Sequence, residues 1–377
     1  MRTENSGRKK MNRLSPFIKK MLALASSALL LLTGGCTANR GVYKTEGSSV
    51  KAELKICCNP YYELAFERVI RTFGSAYPNL SITLTSNKND ADILITDRMD
   101  NESAKGFAAL DNMADIAEFI PELLYRSGEK IIGLPLFLET SGIWIDKLPY
   151  IRENAAVPCR FSDIFGSEFV KSNPMLADSE GLYWGFVAPL CISCGASAED
   201  IGSGNLSQEL LAQGLERLKK TADSGILKKS QNPSDSFVSG KTAGWLCSYL
   251  DIIKIQQNMP LSSKLVFSPG IAAEKGENIN LPMRADTLFV AKKADKKAAE
   301  LFVIALFSDS NILRLITDTH LPPAVKVNCK NHSLPEIFRE FYSVLSSTAV
   351  KTVYVTDKRS DSTVSQLNNL IDSLFTP

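Results

Sequence analysis

Residues 54–84 read LKICCNPYYELAFERVIRTFGSAYPNLSITL, and the hydrophobic period changes twice within them. Leu54 to Cys58 is a short, largely apolar run of strand length. Phe66, Val69, Ile70 and Phe73 then recur at intervals of three, one and three residues, which places them on one face of a helix. Beyond Pro78-Asn79, Leu80, Ile82 and Leu84 alternate with polar residues, as side chains do along a half-buried strand. Strand, helix and strand in this order predict a β-α-β unit, the building block of an α/β domain with a mostly parallel sheet.

Outward from this unit, Asp92 to Thr96 (DILIT) reads as a further buried strand, and Ile131 to Asp146 as two extended pieces around Pro135. Leu211, Leu215 and Leu218 mark a helix that Gly225 can terminate, and Asp295 can cap another running through Leu301, Ala305 and Leu306. Val364, Leu367, Leu370, Ile371 and Leu374 mark a last amphipathic helix. Neither an internal repeat nor a low-complexity tract interrupts the pattern. With 377 residues, 44% of them hydrophobic and 22% charged, the chain has globular composition and room for two domains of ordinary size.

The N-terminus carries an address. Seven basic residues (Arg2, Arg8, Lys9, Lys10, Arg13, Lys19, Lys20) precede Met21 to Leu32, MLALASSALLLL, which has the length of a signal-peptide apolar region and is too short to span a bilayer. It ends in Leu32-Thr33-Gly34-Gly35-Cys36. That segment resembles the lipobox of bacterial lipoproteins, with Thr33 where leucine is more usual. The resemblance implies removal of residues 1–35 as a signal peptide, acylation of Cys36 (palmitate being the usual chain type), and retention on the outer face of the membrane, since two acyl chains suffice to hold a protein there. Residues 36–52, polar and rich in Gly and Ser, read as a tether.

Without that leader, the 43 basic and 41 acidic residues become 36 and 40, a formal charge of −4. A nucleic-acid binder would show the opposite excess. The two histidines, His320 and His332, are too few for a His-based metal centre or a His-centred triad, so neither a metal nor a catalytic role is expected. Ser239-Gly240-Lys241-Thr242 has the tail of a phosphate-binding loop without its upstream glycine. Eight cysteines leave seven after Cys36, so at least one is free. Cys57 and Cys58 fall on opposite faces of a strand. Cys191 and Cys194 have redox spacing without a thioredoxin-like order of elements around them.

Four collinear stretches resemble the extracellular solute-binding proteins of the carbohydrate type, the maltose-binding-protein-like receptors of ABC importers. They are Leu54 to Leu84; Ala91-Asp92-Ile93-Leu94-Ile95; Gly133-Leu134-Pro135-Leu136-Phe137-Leu138-Glu139 with Gly142-Ile143-Trp144-Ile145-Asp146-Lys147; and Phe237 to Ala243 followed by Ala298 to Pro323. The resemblance implies a two-lobed α/β fold, periplasmic-binding-protein-like and of type 2, whose discontinuous lobes are joined by a hinge. The first lobe would comprise 53–138 and 270–312, the second 139–269 and 313–377. Pro135 to Glu139 and Phe267 to Gly270 would be crossings, with solute held between the lobes.

The same resemblance nominates the site residues. Glu139 falls where a hinge carboxylate accepts hydrogen bonds from sugar hydroxyls; the alternative is a solvated strand-end charge. Asp97 and Arg98 follow the Asp92 strand as a polar pair of the family does, or form a local salt bridge. Asn59, Tyr61 and Tyr62 lie in the loop after the first strand, although Asn59 also reads as a plain N-cap. Sugar receptors use aromatic faces; the family's stacking ring falls on Leu250, with Tyr249 beside it and Trp245 before it. Trp184, between Gly181 and Gly185 in a loop-like context, is a second candidate face. The expected protein is a monomeric, lipid-anchored, non-enzymatic receptor without a cofactor. It would deliver a small solute, a sugar or oligosaccharide, to membrane permease subunits. A surface sensor or interaction module that has lost transport is the alternative.

Overall fold

The computed structural model describes residues 50–256, 258–259, 264–274, 276–327 and 336–375. The leader, Cys36, most of the tether, Cys329 and His332 lie outside them. The opening unit folds as its periodicity predicts: β1 (Ala52–Cys57), α1 (Glu63–Ala76) and β2 (Leu80–Leu84), with β1 and β2 parallel and Leu54 opposite Ile82. Ala65, Phe66, Val69 and Phe73 are the buried face of α1. Next, β3 (Ile93–Thr96) pairs parallel with β1.

Two sheets organise the molecule. The first has the order β2-β1-β3-β11-β5-β4, where β4 is Tyr125–Ser127, β5 is Lys130–Glu139 and β11 is Ile279–Val290. The second has the order β10-β6-β9-β7-β8, made of β6 (Ser141–Asp146), β7 (Met175–Ala177), β8 (Leu227–Lys229), β9 (Trp245–Ser248) and β10 (Leu265–Ser268). The chain passes from one to the other at Thr140, the single residue between β5 and β6. It returns between Ser268 and Ile279. Pro135 is therefore not the break that the sequence suggested: it lies inside β5 opposite Thr287, where a register shift between Asp286 and Thr287 accommodates the pairing.

The chain from Asp309 onward departs from the expected division. Asp309–Thr319 was divided at residue 312 between the lobes, but the whole helix packs on α1, with Arg68 bound to Asp318 at 2.6 Å. β12 (Val350–Tyr354) runs parallel to β11 and extends the first sheet. Of the 313–377 segment assigned to the second lobe, the last helix, Asp361–Ser373, does pack there, against the helical stretch 179–187. Sequence periodicity marks helices but carries no information about which sheet they cover. That explains the misassignment.

Among the described residues, no helix is long and apolar enough to cross a membrane. The six cysteines among the described residues are free thiols. Cys191 is buried in a helix, and burial pushes its thiol up to about 12, which leaves it a poor nucleophile at neutral pH.

Candidate functional site

At the junction of the lobes, Glu139 and Arg284 sit opposite one another in β5 and β11. Glu139 is buried. Its Oε1 accepts from the Thr140 N–H at 3.0 Å and the Tyr249 N–H at 2.8 Å, and Oε2 accepts from the Leu250 N–H at 3.2 Å. The last two are first-turn amides of the helix Tyr249–Gln256, so the carboxyl ties the hinge to the positive end of that helix. Burial nevertheless dominates and pushes Glu139 up to about 8, against the pull of Arg284. The oxygens expected to read sugar hydroxyls are therefore engaged by backbone.

Two residues along β11, buried Asp286 accepts a hydrogen bond from the Tyr62 hydroxyl. Burial, reinforced by the charge of Asp97, raises Asp286 to about 7. Tyr62 is thus a core ring that reaches the junction through its hydroxyl, whereas Tyr61 is half-buried and donates to the Thr319 carbonyl at 3.1 Å. Asn59 is the N-cap, accepting from the Tyr61 N–H at 3.0 Å. Asp97 and Arg98 do not bridge each other: Arg284 lies 3.7 Å from Asp97, and Arg98 pairs with Asp361 at 2.7 Å.

The aromatic candidates are where correction is largest. Trp184 is 1% exposed and lies in a π-helical turn, Tyr183–Val187, inside a continuous helical run from Ser179 to Ser193. Its flanking glycines mark close approach, not a loop. A Cβ on Gly181 would stand 2.3 Å from the Leu246 carbonyl oxygen, and one on Gly185 2.5 Å from the Leu246 Cδ1. The indole is covered by two guanidiniums, with Arg284 Cζ 4.3 Å and Arg359 Cζ 4.6 Å from its centroid. Tyr249 is fully buried among Trp144 and Phe341, and Trp245 packs near Phe237. Neither offers a free face.

Sequence reading missed Arg359, the most completely buried charge of the junction. It donates to Asp357 from Nε (3.0 Å) and Nη2 (2.9 Å), and to Glu180 from Nη2 (3.1 Å), while stacking 4.5 Å from the Tyr183 centroid. Its sequence context, TDKRSDS, looks like any polar loop. Three buried donors here have no acceptor among the described residues: Trp184 Nε1, Arg284 Nε and Arg359 Nη1. A cavity of about 1160 Å³ lies elsewhere, on the flank of the second lobe beside Phe169, Ser172 and Gly240. Among the described residues, no group of three His, Cys, Asp or Glu side chains is placed to hold a metal ion.

No family model matches the sequence, and no curated protein matches it. Solved structures do. The maltose-maltodextrin binding protein of Alicyclobacillus acidocaldarius is 13% identical with a TM-score of 0.66, covering 85% of this chain and 95% of that one. The ABC substrate-binding protein Lmo0181 of Listeria monocytogenes, solved with cycloalternan, is 14% identical with a TM-score of 0.66, covering 87% and 95%. The GacH receptor of Streptomyces glaucescens, solved unliganded and with acarbose, is 13% identical with a TM-score of 0.68, covering 86% and 93%. These neighbours are binding proteins rather than enzymes, and with them the chain shares the two-lobed α/β fold of the carbohydrate solute-binding proteins.

Proposed function

We propose that this chain is a lipid-anchored extracellular receptor that binds a small solute, of the sugar or oligosaccharide class, between its lobes and delivers it to an ABC-type permease. The carrying observation is the junction itself: two sheets joined at Thr140, with polar and aromatic groups from both meeting at Arg284 and Trp184. The moving bodies on this reading are the two sheets with their attached helices. A working monomer fits, because closure needs free lobes. The anchor at Cys36 rests on the leader sequence.

A panel of oligosaccharides, amino acids and peptides read by thermal unfolding tests the reading. A solute at 100 times its dissociation constant should stabilise the chain by about 2.7 kcal/mol. Silence across the panel would remove the receptor. Replacing Cys36 by Ala should release the protein from the membrane fraction; retention would remove the anchor. Two observations favour a non-transporting sensor as second reading: Leu250 stands where the family's stacking ring falls, and two arginines cover the Trp184 indole.

A further inference from the structure

Arg284 projects from β11 of the first sheet onto the Trp184 indole of the second lobe, and its side chain is only 6% exposed. Among the described residues its guanidinium makes no hydrogen bond. The nearest carboxylate oxygens, of Asp97 and Asp357, stand 3.7 and 3.9 Å from Nη1, beyond hydrogen-bond reach. A buried guanidinium with its donors unfilled is costly to keep. The acids around it are engaged elsewhere. Asp357 accepts from Nε and Nη2 of Arg359, Glu139 accepts from three backbone amides, and Asp286 accepts from the Tyr62 hydroxyl. Burial also favours the neutral forms of Glu139 and Asp286. Asp97 remains to balance Arg284, but its side chain is 55% exposed and its charge is weakened by water.

We propose that the solute is an acidic sugar, and that Arg284 binds its oxyanion (a carboxylate, sulfate or phosphate) through two parallel N–H bonds. The three unfilled buried groups at the indole, Arg284 Nε, Arg359 Nη1 and Trp184 Nε1, can donate but cannot accept. A sugar hydroxyl would accept one such bond but brings a proton that needs an acceptor in turn, and Glu139 has both oxygens taken. An oxyanion brings acceptors without that demand, and its geometry matches the planar fork of an arginine. A solute held by Arg284 against Trp184 would also touch both lobes, as coupling to their motion requires. This inference rests on the receptor reading, which supplies the room for a solute by movement of the lobes, and it narrows the solute from sugars at large to acidic ones.

Calorimetric titration of the purified chain with matched pairs tests this. Trigalacturonate is set against its methyl ester, and glucose 6-sulfate and glucose 6-phosphate against glucose, so that the arms separate carboxylate, sulfate and phosphate. At least one acid should bind about tenfold or more tighter than its neutral partner, the margin of a charge-assisted bond over a neutral one. Arg284→Gln should erase that preference, and Arg284→Lys, which keeps the charge without the fork, should restore only part of it. Equal affinity within every pair, or a preference that survives Arg284→Gln, overturns the inference. Inorganic sulfate or phosphate binding as tightly as the sugar acids overturns it too, by marking a site for an adventitious ion only. Should Arg284→Gln lose its circular dichroism, the wild-type pairs and Arg284→Lys decide, and an undiminished preference in Arg284→Lys counts against the two-pronged bond. Neutral oligosaccharides that bind with no preference for acids sink the oxyanion and leave the receptor standing, whereas silence of every sugar, acidic and neutral, removes both.

Discussion

Glu139 shows how burial and hydrogen bonding divide one carboxyl. Two helix-end amides, the Thr140 amide and a guanidinium favour its anion, yet desolvation prevails and its pKa stands at about 8 against 4.5 for the free side chain. Between those values the folded chain holds a proton that the unfolded chain has released. Stability is therefore fully present below pH 4.5 and is lost as pH rises through 8. Asp286, raised to about 7, adds to the same slope. At about 1.4 kcal/mol per pKa unit, the Glu139 share is on the order of 2–5 kcal/mol. Glu139→Gln should flatten the stability profile between pH 5 and 8, measured by urea unfolding at each pH. A profile parallel to the wild type would show that Glu139 is ionised in the folded state throughout.

At the scale of elements, the packing of the Ser179–Ser193 helical run on β9 depends on Gly181. Its missing Cβ is the space taken by the Leu246 carbonyl, a backbone atom that cannot turn aside. Gly181→Ala should cost about 1–3 kcal/mol, seen as a lower denaturation midpoint at unchanged slope. Gly166, with nothing within 4 Å of a built Cβ, is the control, and its alanine variant should be neutral or slightly stabilising. Equal effects at the two sites would refute the close-approach explanation. This helix also shows where sequence is legible and where it is not. Phe66 and Phe73 in α1, or Leu80 and Ile82 in β2, declare themselves because their pattern is local. Asp295 does so as well, capping its helix through the Ala298 N–H at 2.9 Å. Gly181-Leu182-Tyr183-Trp184-Gly185 reads equally as a loop or as a tight contact, and only the distant Leu246 decides. Pro135 misled for a related reason: a strand tolerates it where the partner strand shifts register, and that partner is β11, far away in sequence.

For the whole molecule, the strand-helix order and the four collinear stretches carried the fold, while the contents of the cleft stayed hidden. Arg284, Arg359 and Trp184 are separated by 75 or more residues from one another, and no period or motif links them. What meets at the junction follows from how often the chain crosses it: at Thr140, between Ser268 and Ile279, and along 355–361. Ligand and lobes are then coupled only through groups contributed by both sides, since a solute touching one lobe alone would not favour closure. Amide hydrogen exchange measures this most directly, on the wild-type chain with and without the oligosaccharide that gives the largest thermal shift. Exchange should change on both sides of the junction, at 97–99 and 284–286 as well as 180–184 and 355–361. Changes confined to one lobe, or to the flank cavity beside Phe169 and Gly240, would contradict binding between the lobes.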